Sequence, residues 1–193
     1  MKQQAAIQRT TKETNISATW ERNPAVRDIE TGIGFFDHML TALSFHAGLG
    51  LTLKVVGDLA VDAHHTVEDT GIVLGLSLAE LLDDKKGIAR FAEASIPMDE
   101  ALARAAVDIS GRPFLLCQAN WPSGSSGAYD YSLTEEFLRA FCQCAGITLH
   151  VEVVYGQNGH HMTEALFKAV AYALRRAMAP VDVEINSTKG TLG

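Results

Sequence analysis

The sequence predicts an α+β fold, a two-layer α/β sandwich assembled from two copies of one strands–helix–strand–helix unit. Three observations predict it. His64-His65-Thr66-Val67-Glu68 is answered 96 positions later by His160-His161-Met162-Thr163-Glu164. At the same offset Gly50-Leu51-Thr52-Leu53 is answered by Gly146-Ile147-Thr148-Leu149. Period-2 alternation and 3.6-residue stripes recur in the same order in each half, a mixture that is buried by backing sheets with helices. The 193 residues are read as one domain of two repeats, about 1–88 and 89–182, followed by a polar tail over 183–193.

The first half opens with extended segments holding Ile7, Ile16 and Trp20. A helix is expected from Phe35 to Ala47, carrying Asp37-His38-Met39-Leu40. Leu51, Leu53 and Val55 then alternate with Thr52 and Lys54, which predicts a strand with one buried face. A second helix opens at the His pair, with Asp62 as its N-cap and Val67, Gly71, Leu74, Leu78 and Leu81 as its apolar stripe. The second half repeats this order. Val107, Ile109, Phe114 and Leu116 lie in extended segments, and Trp121–Tyr131 is a Pro/Gly/Ser-rich loop. A helix from Ser132 to Ala145 starts with a Ser132/Glu135 capping box. Ile147, Leu149, Val151 and Val153 form the matching strand. Asn158 caps a last helix whose stripe is Leu166, Val170, Ala173, Leu174 and Ala177.

Composition narrows the function. A net charge of −7 without a basic tract argues against nucleic acid as the main partner. No apolar run approaches the roughly 20 residues of a membrane span, and no signal-like segment follows Met1, so a cytoplasmic protein is expected. Cys117, Cys142 and Cys144 read as reduced thiols, mostly small buried apolar residues.

The duplicated cluster carries the chemistry. Imidazole nitrogens and carboxylate oxygens suit divalent transition metals. Residues three and four apart share a helix face, while adjacent histidines diverge by roughly 100°. One cluster can therefore serve two ions. The positive end of the helix disfavours imidazolium, and a ligand must be neutral imidazole. His64, His65, Glu68, His160, His161 and Glu164 are the candidate ligands. His38 and Glu136 join them, because aligning the preceding helices makes them pseudo-equivalent. The expected grouping is His38, His65 and Glu68 on one ion, and Glu136, His161 and Glu164 on the other, each with a His from the opposite half. Mixed shells of this kind favour manganese, iron or zinc over calcium, and six-coordinate demand leans to manganese. The His-Glu-x-x-His signature of metalloproteases is absent. His150, on the repeated strand, reads as structural.

Thr31-Gly32-Ile33-Gly34-Phe35-Phe36-Asp37-His38-Met39-Leu40, both His-His-x-x-Glu clusters, Ser110-Gly111-Arg112-Pro113 and Ser187-Thr188-Lys189-Gly190 occur together and in order. In this the chain resembles the imidazoleglycerol-phosphate dehydratases of histidine biosynthesis, from about Arg9 to the C-terminus. The resemblance implies duplicated ferredoxin-like halves of the ribosomal S5 domain 2 kind, with two sheets enclosing helices. It implies a hydro-lyase that converts D-erythro-imidazole-glycerol phosphate to imidazole-acetol phosphate, with two manganese ions on the substrate's imidazole ring. It also implies trimers assembled into a 24-subunit particle with active sites at subunit contacts. Glu13 matches an acidic catalytic position, and His46 a substrate-site position. Arg90, Arg112, Ser187, Thr188 and Lys189 match the phosphate contacts, while His38, His64, His65 and Glu68 also face substrate. Many members carry His where this chain has Glu136.

Two rival readings share the duplicated ligands: a metal-storage or metal-assembled particle, and a dinuclear metallohydrolase of phosphate esters. Storage needs no phosphate grip, and such hydrolases rely on aspartate-rich bridging ligands.

Overall fold

The computed structural model describes residues 1–182 and 184–192; Val183 and Gly193, the first and last residues of the expected tail, lie outside the described residues. The first half runs β1 (Gln4–Thr10), β2 (Thr14–Glu21), β3 (Arg27–Glu30), α1 (Gly34–Ala47), β4 (Gly50–Gly57) and α2 (His64–Leu82). The second runs β5 (Phe91–Met98), β6 (Ala101–Asp108), β7 (Phe114–Gln118), a hairpin β8 (Ser125–Ser126) and β9 (Tyr129–Asp130), α3 (Leu133–Ala145), β10 (Thr148–Tyr155) and α4 (Gly159–Ala177).

The two four-stranded sheets have the same topology, β1-β2-β4-β3 and β5-β6-β10-β7. In each, the first three strands are antiparallel, and the fourth runs parallel to its neighbour because a helix intervenes in the chain. The repeat seen in the sequence is therefore a repeat of fold.

Alternation on β2 buries Thr14, Ile16, Ala18 and Trp20; on β6 it buries Ala101, Ala103, Ala105 and Val107. These faces meet α2 and α4, and the helices pair with each other across the two halves, α1 on α4 and α2 on α3. The sheets thus enclose a helix layer and one continuous core. Trp20 Nε1 donates to Leu74 O (3.1 Å) and Ser77 Oγ to Ala5 O (2.7 Å), fastening sheet to helix through polar atoms that burial would otherwise strand.

The helix termini depart in part from expectation. Asn158 caps α4 as expected, accepting from His160 N and His161 N. The residue before α2 is Ala63; Asp62 instead accepts from His64 N one step earlier (2.8 Å). The Ser132/Glu135 capping box does not form. Ser132 already has helical φ and ψ, whereas a capping side chain needs an extended backbone. Its hydroxyl donates to Asp130 Oδ1 (2.6 Å), and Glu135 pairs with Arg139. The Trp121–Tyr131 segment, read as plain loop, contains the β8–β9 hairpin, where Tyr129 buries its ring and shares a hydrogen bond with Thr134 (3.0 Å).

Candidate metal and phosphate sites

His38 is delivered by a preformed turn. Thr31 donates from N and Oγ1 to Asp37 Oδ1 (2.8 and 2.6 Å), and Gly32 takes a positive φ of 80°. This closes the chain onto the first turn of α1, one residue before His38. Because α1 packs on α4, His38 arrives at the second cluster. Its Nε2 lies 3.3 Å from Glu164 Oε2, and His160 Nε2 lies 3.1 Å from the same oxygen. One ligand atom from each of these three residues falls within 4.8 Å of the others, the only such grouping of three among the described residues.

This corrects the expected partition. His38 joins Glu164 of the other half rather than Glu68 of its own, since the helix pairs cross between halves. Within that cross-pairing the first of each His pair faces its own Glu: His64 Nε2 is 3.7 Å from Glu68 Oε2. Glu136 is half-buried in the first turn of α3, the helix that packs on α2. Among the described residues it joins no three-donor group.

The second histidines point elsewhere, and each is held by a carboxylate that the sequence reading missed. His65 Nδ1 is 2.9 Å from Asp58 Oδ2, and His161 Nδ1 is 2.7 Å from Glu100 Oε2. An ionised carboxylate only accepts, so the proton sits on Nδ1 and Nε2 keeps a lone pair. These hydrogen bonds raise both imidazole pKa values. Glu100 is pushed down to about 2, by His161 first and then by the N–H groups of Asn158 and Gln157. The two orienting acids come from different places, the loop after β4 and the β5–β6 turn. No periodicity marks either one; their only signal is an acid in a turn beside a strand end.

Glu13 sits in the β1–β2 turn with Oε1 3.9 Å from His65 Nε2. That turn is pinned to α2 because Asp69 accepts from Thr14 Oγ1 (2.5 Å) and pairs with Arg9 (2.6 Å). Lys168, also missed, bonds Glu164 Oε1 at 2.7 Å and leaves Oε2 to the histidines. Burial works to raise the Glu164 pKa, but Lys168 and His38 outweigh it and the net shift is downward. His46 lies in the last turn of α1, about 12 Å along the helix from His38, its ring 5.2 Å from that of Tyr172 and tilted 34° to it. Burial and then Lys168 lower its pKa.

Arg90, Arg112, Ser187, Thr188 and Lys189 line a single cavity of about 440 Å³. Asp108, another residue missed, organises it. It accepts from Arg90 Nε (2.7 Å) and Nη2 (3.2 Å) and from Arg112 Nη2 (3.3 Å). Arg90 is 8% exposed and has φ of +72°, a conformation costly for a side chain with a Cβ. It is fixed there by backbone bonds to Ala177 and Ile109. The described residues of the tail are irregular as expected, and Asn186 docks them: its O accepts from Arg90 Nη1 (2.7 Å) and its Nδ2 donates to Ala89 O (2.8 Å).

The family model for imidazoleglycerol-phosphate dehydratase matches residues 31–174. The chain belongs to the imidazoleglycerol-phosphate dehydratase family. A relative so named from Clostridium botulinum is 52% identical over 192 residues, covering 97% of each chain. One from Anaeromyxobacter is 51% identical over 189 residues, covering 97% of this chain and 91% of its own. The crystal structure of the dehydratase from Staphylococcus aureus aligns with a TM-score of 0.85 at 41% identity, covering 92% of this chain and 99% of that one. The structure from Pyrococcus furiosus also gives 0.85, at 36% identity, covering 96% and 100%. These neighbours bear out the duplicated α+β fold. No helix among the described residues is long and apolar enough to cross a membrane.

Proposed function

We propose that this chain removes water from D-erythro-imidazole-glycerol phosphate to give imidazole-acetol phosphate in histidine biosynthesis, as a cytoplasmic homo-oligomer of the 24-subunit kind. The observation that carries the reading is the convergence of His38, His160 and Glu164 from opposite halves of the chain. Two imidazoles and a carboxylate fit manganese, iron or zinc, and a six-coordinate shell leaves room for substrate. The same grouping in the other helix pair would use His64, Glu68 and Glu136. His65 and His161, held through Nδ1 and partly exposed, suit the role of a further ligand given to a neighbouring subunit.

Two bound manganese ions would supply Lewis-acid polarisation of the substrate's imidazole ring. The chain's own residues do the rest. Arg90 and Arg112 give the planar forks that grip a phosphate, with Ser187, Thr188 and Lys189 beside them. His46 contacts substrate in this reading. Glu13 takes the carbon-bound proton and returns one to the departing hydroxyl, so that water leaves and an enol remains, which becomes the ketone. A storage particle has no use for the arginine-lined cavity, and this sets the dehydratase reading above it.

The test is to incubate manganese-loaded protein with the substrate and follow the keto product. Glu13→Gln should lower turnover by about 100-fold or more, the scale of a lost acid/base group, with metal content unchanged. Wild-type protein that binds manganese yet makes no product would sink the proposal.

A further inference from the structure

A second cavity, of about 620 Å³, opens where the β2–β3 loop meets the C-terminal ends of α1 and α4. Arg22, Arg27 and Arg175 line it, together with Phe45, Leu49 and Met178; no acidic residue among those described does. It is remote from the metal ligands, since Arg175 lies about 22 Å along α4 from His160.

The chain has nine arginines. Arg9, Arg90, Arg104, Arg112 and Arg139 pair with carboxylates, and Arg176 donates to Glu93 O. Among the described residues, the three whose guanidinium has neither kind of partner are the three at this cavity. In a chain of net charge −7, three unpaired guanidiniums in one concavity are not an effect of bulk composition. The Nε of Arg27 is buried without a hydrogen-bond partner, and its guanidinium lies over the Phe45 ring at 4.9 Å. Arg175 passes over Gly48, where an added Cβ would sit 3.5 Å from its Nε. The bland explanation is that these cations complement two helix C-termini. Each terminus carries roughly half a negative charge, so two of them offset about one guanidinium and leave about two positive charges over. A monoanion does not balance that; a phosphoryl dianion does, and the guanidinium fork matches its oxygens. Phe45, 58% exposed, and the flanking Leu49 and Met178 offer an apolar wall.

We infer that this cavity is a second anion site, for a small molecule bearing a phosphoryl group on a flat apolar body. It is distinct from the cavity at Arg90 and Arg112, and it does not depend on the dehydration chemistry.

The probe is phenyl phosphate, titrated calorimetrically into the full-length, metal-loaded protein. Wild type should bind two per chain, and Arg112→Ala should keep one. The double variant Arg27→Gln, Arg175→Gln should weaken that remaining site at least tenfold and spare the one at Arg112. Arg22→Gln, on the exposed loop where folding is not at risk, should weaken it severalfold. Inorganic phosphate should bind this site more weakly than phenyl phosphate. One phenyl phosphate per chain, abolished by Arg112→Ala, would overturn the inference. So would two sites indifferent to all three arginine substitutions. A missing second site together with a fall in native mass in the double variant would assign the arginines to a subunit contact instead, and would equally overturn it.

Discussion

At the scale of single residues, the candidate donor atoms are held by neighbours that lie outside the proposed metal shell. Asp58 and Glu100 each fix Nδ1 of one histidine, which sets the direction of its Nε2. Outer partners of this sort govern metal affinity as well as geometry. Asp58→Asn and Glu100→Gln should each weaken manganese binding about 10- to 100-fold, read by metal titration, while folding is retained. An unchanged isotherm would show that the two acids are bystanders. The repeated candidate ligands were legible in the sequence because duplication writes His-His-x-x-Glu twice at one spacing. Their grouping was not, because spacing along the chain says nothing about which helices cross. Lys168 and Asp108 were illegible for another reason: a lone Lys on a helix or Asp at a strand end is ordinary until its partner is placed beside it.

Among the elements, α3 begins differently from the pattern its sequence advertises. Asp130 Oδ1 accepts from both Ser132 N (2.9 Å) and Ser132 Oγ, so an aspartate two residues upstream organises the turn into the helix. These bonds lower the Asp130 pKa below its ordinary 3.8. A lowered carboxyl stabilises the fold above the unfolded value and loses that contribution as pH falls through the folded one. Asp130→Ala should cost about 1 kcal/mol near neutrality. The gap from wild type should close as the pH is brought below 3.8, measured by denaturant titration at each pH. The α2–α3 seam is tighter still. An added Cβ at Gly71 would meet Phe137 O at 2.6 Å, and one at Gly75 would meet Phe141 O at 2.5 Å. Gly75→Ala should therefore destabilise by about 1–3 kcal/mol despite its better helix propensity; a gain in stability would show that the helices give way. Periodicity made α2, α4, β4 and β10 readable in advance, and the repeated order placed α1 and α3 before the two strands. β3 and β5 were not singled out, since both lie at sheet edges and bury few side chains: β5 buries only Ala94.

For the whole molecule, two repeats meet through a shared helix layer, and each repeat is incomplete as a site. His38 from one half needs His160 and Glu164 from the other, while His65 and His161 turn away toward their carboxylates. If those arms serve neighbouring subunits, His65→Ala and His161→Ala should lower bound manganese and native mass together, as followed by native mass spectrometry. Loss of metal with an intact particle would confine the site to one chain. The duplication is also no longer exact where it is hidden. Gly71 and Gly75 in α2 correspond to Phe167 and Ala171 in α4, 96 positions on. A gene made by writing either half twice would keep the doubled His-His-x-x-Glu signature, yet its middle would not close. Gly71→Phe would drive a ring into the carbonyl of Phe137, and the reverse exchange would leave a hole where Phe167 now stacks on Phe137. The symmetry of the repeat has given way to a fit between the copies, each shaped to the face of its own counterpart.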